Sequence, residues 1–116
     1  MPDARRILRA QAAYYVVTGL WPLVSRRAFE AVTGPKTDWW LVQMVALLVT
    51  GIGTAIGVGA RDERPAPAIR TLAISSALSF AGIDAVYSLR GQISKIYLAD
   101  AAVELAIAAA LLPRAQ

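Results

Sequence analysis

Neither cysteine nor histidine occurs among the 116 residues. Without cysteine there can be no disulfide, no thiolate nucleophile and no zinc–thiolate site. Without histidine the commonest general base, proton relay and transition-metal ligand are missing too. Charge is also scarce, at 17% of residues against roughly 25% in an average soluble domain. Hydrophobic residues make up 57%, and a chain this short buries too little of its surface to hide them in a soluble fold.

What is present is grouped. Residues 10–25 and 39–60 carry no charge, and residues 71–89 carry only Asp84. Runs of this length read as membrane spans, which need about 20 mostly apolar residues. A soluble enzyme or a nucleic-acid module is thereby excluded, since no basic stripe is interleaved with exposed aromatics. Twelve Lys and Arg against eight Asp and Glu leave a net charge of +4, and anionic lipid headgroups are the natural counter-charge. Arg5, Arg6 and Arg9 ahead of an apolar run resemble a signal peptide, but no small-x-small cleavage site follows, so a retained span is expected.

The expected architecture is all-α: one domain over residues 1–116, a four-helix transmembrane bundle with up-down topology and spans at about 7–25, 38–60, 68–90 and 96–112. Thr37 is placed to cap the second span, Trp39 and Trp40 to anchor it at the interface, and Pro113 to stop the fourth. A charged, Pro-rich turn covers residues 61–67 and a tight hairpin residues 91–95. Within the first connection, Arg26–Val32 can form either a turn or two of amphipathic helix ended by Gly34-Pro35 or an ordinary surface loop. The helix is expected to lie at the headgroups with Phe29 and Val32 downward. Seven basic residues on the side of the termini, Arg114 included, against five on the other favour cytoplasmic termini in a multi-pass protein, with a bacterial inner membrane as the expected location.

Read at 3.6 residues per turn, every span carries a polar stripe. The first aligns Gln11, Tyr14, Tyr15, Thr18 and Pro22; the second Gln43, Thr50, Thr54 and Gly57; the third Ser76, Ser79, Asp84, Tyr87 and Arg90; the fourth Tyr97, Asp100, Glu104 and Ala108. Four stripes can turn inward together and form one polar interior. At 1.5 Å per residue Asp84 lies about 9 Å inward from its Arg90 end, and Asp100 and Glu104 about 6 and 12 Å from Ile96. The acids therefore collect in one half of the bundle, beneath Arg26, Arg27, Lys36, Arg90 and Lys95, as the floor of a blind cavity. A charge facing lipid costs about 2.5–3.5 kcal/mol on insertion scales, and Asp100 and Glu104 at i and i+4 also repel. A shared proton or a bound cation is the economical solution.

The expected ligand or ion site is Asp84, Asp100 and Glu104, shaped by Tyr14, Tyr15, Gln43 and Tyr87; no cofactor or metal centre is expected. The other reading of these groups is a structural polar knot, with Asp84 accepting from Tyr87 or Tyr14 and Glu104 from Thr18 or Gln43. Gly53-Thr54-Ala55-Ile56-Gly57 is a G-x-x-x-G that brings helices close; packing within the chain is favoured over a homodimer. In architecture the chain looks like small four-span membrane proteins. Small multidrug transporters hold an essential Glu in their first span, where this chain has none. Sterol-isomerase-like bundles hold an amine or a carbocation between carboxylates and aromatics, ingredients that recur here without a matching spacing. Three functions follow in order: a binding protein or coupled carrier for a cation, a proton or a small cationic amphiphile; an accessory subunit of a larger membrane complex; and a membrane enzyme acting on a lipid-like substrate.

Overall fold

A computed structural model describes residues 4–112, and these form five α-helices and no strand. They are α1 (Ala4–Val24), α2 (Arg26–Thr33), α3 (Trp39–Gly59), α4 (Pro67–Leu89) and α5 (Tyr97–Leu111). Pro113 and Arg114, expected as helix stop and orientation charge, lie outside the described residues. Local chemistry accounts for most boundaries. Ser25 is extended and its hydroxyl accepts from the Ala28 N–H at 3.1 Å, which caps α2 one residue after α1 ends. Gly34 and Gly91 take φ of 96° and 76°, conformations costly for other residues, and so turn the chain after α2 and α4. Pro67 opens α4, where a missing N–H costs nothing. Thr37 does not cap α3. Asp38 occupies that position without a side-chain bond, and its carbonyl alone serves the N–H groups of Leu41 and Val42.

The helices pair through small residues. Gly53 of α3 lies so close to α1 that a Cβ there would be 2.8 Å from the Tyr15 Cβ, and one at Gly57 3.3 Å from the Ala12 Cβ. The G-x-x-x-G thus packs against a helix of its own chain. Ala73, Ala77 and Ala81 on α4, with Ala101 and Ala108 on α5, give the other pair a similarly small and buried seam. The two pairs close on each other at the end holding the second connection, around Leu8, Ile56, Ala60, Ala73 and Leu111. Two arginines fasten that end through carbonyls left free at helix C-termini: Arg5 Nε donates to Ala60 O at 3.2 Å and Arg70 Nη2 to Leu111 O at 2.6 Å.

Two helices, α3 and α4, are long and apolar enough to cross a membrane. Only 22% and 28% of their most apolar stretches are buried, so neither is the sheltered core helix of a globule. α1 is as long as α3 but carries Arg5, Arg6, Arg9 and Gln11; α5 has 15 residues, about 22 Å of rise.

Candidate functional site

Opposite the fastened end the helix pairs part around a cavity of about 840 Å³. α1 supplies Tyr14, Tyr15 and Thr18, α3 the apolar residues Leu41, Val42, Val45, Ala46 and Val49, and α4 Phe80 and Asp84. α5 adds Tyr97, Asp100 and Glu104. The wall is largely apolar, with Thr18, Thr33, Lys36, Ser79 and Tyr97 among its polar members, and all three expected acids lie on it. Asp84, Asp100 and Glu104 are near enough for their charges to act on one another.

Two tyrosines on successive positions of α1 reach across to α5. The Tyr15 hydroxyl donates to Glu104 Oε1 at 2.6 Å, and the Tyr14 hydroxyl donates to Asp100 Oδ1. Tyr15 is wedged edge-on against Phe80, with centroids 5.6 Å apart. Glu104 is 2% exposed and Asp84 6%. Asp84 Oδ2 is buried with no partner among the described residues, and so is Gln11 Oε1. Gln11 Nε2 is spent on the Ala73 carbonyl, 2.9 Å away on α4. These pairings correct the expected bonds. Thr18 turns back to the Tyr14 carbonyl, a partner available within its own helix, and Glu104 takes its donor from Tyr15.

Five of the seven expected residues therefore meet: Asp84, Asp100, Glu104, Tyr14 and Tyr15 all line the cavity. Gln43 and Tyr87 do not. Gln43 is exposed on α3, whose contact face is set by Ala46, Gly53 and Ile56. Tyr87 is exposed beside Arg90, because the buried edge of α4 runs through Ala77, Ala81, Asp84 and Ser88. Thr54 is likewise exposed and bonds the Thr50 carbonyl.

The mouth was the part least visible in the sequence. α2 folds over it, and Phe29 stands edge-on between Trp21 and Trp39, at 5.3 and 6.2 Å. Arg26 stacks 4.5 Å above Trp39 and donates to Glu30 at 2.9 Å. Glu30 also accepts from the Lys36 backbone N–H at 2.6 Å, and that bond, followed by the Arg26 guanidinium, holds its pKa below the usual carboxylate value. Lys36 Nζ donates to Thr33 O at 3.0 Å and sits 5.1 Å from the Tyr97 ring centre, joining the first connection to α5. The amphipathic spacing of residues 26–32 signalled α2, but nothing in the sequence signalled that Phe29, Lys36 and Tyr97 would meet.

Among the described residues no group of three or more acidic side chains is arranged to hold a metal ion. The arrangement offers hydrogen-bond acceptors and negative charge in an apolar chamber, with two phenol donors fixing two of the carboxyls. No protein-family model, curated protein or solved structure was found to match the chain.

Proposed function

We propose that this chain is a four-span membrane protein, α1, α3, α4 and α5 crossing the bilayer with α2 at its surface, and that its acidic cavity binds a small monovalent cation or cationic amphiphile as a carrier site. The long axis of 45 Å suits a bilayer of about 40–45 Å with headgroups. Val17, Leu47, Leu48 and Leu89 stand outward, more apolar surface than a soluble monomer leaves uncovered. α1 and α5 fall short of the length and hydropathy of a lone span because they carry the polar groups of the site, which neighbours shield inside a bundle.

The observation that carries the binding reading is the unpartnered oxygen of Asp84, buried in the wall of a cavity that also receives Asp100 and Glu104. Buried acceptors are ordinarily satisfied, and three adjoining carboxylates cannot all stay charged without a proton or cation between them. A purely structural knot is favoured by the two tyrosine bonds, which join α1 to α5. An accessory subunit docking through the G-x-x-x-G loses that surface, since Gly53 and Gly57 already face α1.

The test is calorimetric titration of the protein in lipid nanodiscs with dodecyldimethylamine, beside Asp84→Asn and Glu104→Gln. Binding that both substitutions weaken at least tenfold, with unfolding temperature kept, supports the reading. Equal binding by all three proteins overturns it.

A further inference from the structure

The cavity is not sealed from the outer surface of the bundle. Leu41 and Val45 of α3, Ile83 of α4, Ile96 just ahead of α5 and Val103 within it all line it while remaining at least two-fifths exposed. Val45, Ile83 and Val103 each lie six residues, about 9 Å, from the ends of their helices nearest α2. In a spanning bundle that depth is hydrocarbon. The opening they border therefore faces acyl chains.

The aqueous side has the opposite character. Lys36 stands at the mouth with its ammonium over Tyr97 and Phe29, and Arg26, Arg27, Arg90 and Lys95 occupy the same end, against Glu30 and Asp38. A hydrated cation coming from water meets a positive rim before it meets the acids. A molecule already dissolved in the bilayer meets no such barrier. Its route passes the apolar side chains of Val45, Ile83 and Val103 before Asp84, whose buried Oδ2 has no partner among the described residues and is an acceptor open to an N–H.

We propose, resting on the acid-cavity reading above, that the site is loaded sideways from the bilayer through this apolar lip. Its ligand is a membrane-dissolved amphiphile with a single amine headgroup and an apolar body. The amine sits between Asp84 and Asp100, beside the faces of Tyr14 and Tyr15, and the body lies along Val42, Val45 and Val49. A chamber of about 840 Å³ falls within the range of sites that hold a whole small molecule.

The experiment compares dodecyldimethylamine with trimethylammonium chloride, the same N–H headgroup without a chain, on the full protein in nanodiscs, with partition into protein-free nanodiscs subtracted. Val45→Trp and Val103→Trp narrow the lip from two helices, and both side chains are exposed enough to enlarge without disturbing the core. The chain-bearing amine should bind at least tenfold more tightly than trimethylammonium, and each tryptophan should weaken it about tenfold. An octyl-to-dodecyl series, which needs no variant, should tighten with chain length beyond the gain from partition alone. Trimethylammonium binding as tightly as the long amine, or a flat chain-length series, overturns sideways loading. In that case a continuing effect of Asp84→Asn leaves the acid cavity standing, whereas its absence removes both.

Discussion

Gly53→Ala tests whether the two halves of the site depend on one tight helix contact. The new methyl carbon would stand 2.8 Å from the Tyr15 Cβ and 3.1 Å from the Ala12 carbonyl oxygen, where about 3.5–4.0 Å is comfortable. Both obstacles belong to a backbone or are fixed directly to it, so α1 and α3 must move apart rather than one rotamer swing aside. Overpacking of this kind costs about 1–3 kcal/mol, and alanine returns roughly 0.5–1 kcal/mol of helix propensity. The net loss expected is about 1–2 kcal/mol. The strain also falls on Tyr15, whose hydroxyl serves Glu104, so loss of the amine site should accompany loss of stability. Gly51 supplies the control: nothing lies within 4 Å of its added methyl, so Gly51→Ala should be neutral or slightly stabilising. Reversible unfolding in mixed micelles, with amine titration of the same samples, reads both effects. Equal stability of Gly53→Ala and Gly51→Ala would refute the intrachain packing.

Other consequences are as direct. Tyr15→Phe leaves the Glu104 carboxyl buried without its donor and should cost about 1–3 kcal/mol in the same unfolding assay, whereas Tyr87→Phe should cost nothing measurable. Ser25→Ala removes the cap of α2 and should loosen it by about 0.5–2 kcal/mol, read as faster amide exchange over residues 26–33 with the other helices unchanged. The Glu30 pKa is lower in the folded chain than its ordinary 4.5, so this carboxylate contributes stability above pH 4.5 that disappears as pH falls through the folded value. Protection of the α2 amides, taken relative to the intrinsic exchange rate at each pH, should fall below pH 4.5, and Glu30→Gln should abolish that dependence while lowering protection at neutral pH.

Helix positions were legible because uncharged runs, proline and glycine punctuate this chain so plainly. The spans expected at 7–25, 38–60, 68–90 and 96–112 fall within about three residues of α1, α3, α4 and α5. The acids were legible for a different reason: a carboxyl inside an apolar helix has few tolerable places to point. Rotation about each helix axis was harder to read. Gln43 shares a stripe with Thr50 and Gly57, yet α3 turns its glycines to α1, which leaves Gln43 outside. On α4 the small residues Ala77, Ala81 and Ser88 determine the buried edge, and Tyr87 falls off it. Periodicity names a face, whereas the smallest side chains decide which face is buried. The mouth depends on contacts between Phe29, Lys36 and Tyr97, distant in sequence and carrying no periodic signal.

The central claim is that Asp84, Asp100 and Glu104 face one apolar chamber inside the membrane. Dicyclohexylcarbodiimide, which dissolves in hydrocarbon and couples to protonated carboxyls, reports on that claim in intact vesicles. Mass mapping should find the adduct on these three residues, with dodecyldimethylamine protecting them, and not on Asp38, Asp62 or Glu63. Labelling confined to Asp38, Asp62 and Glu63 would contradict the account.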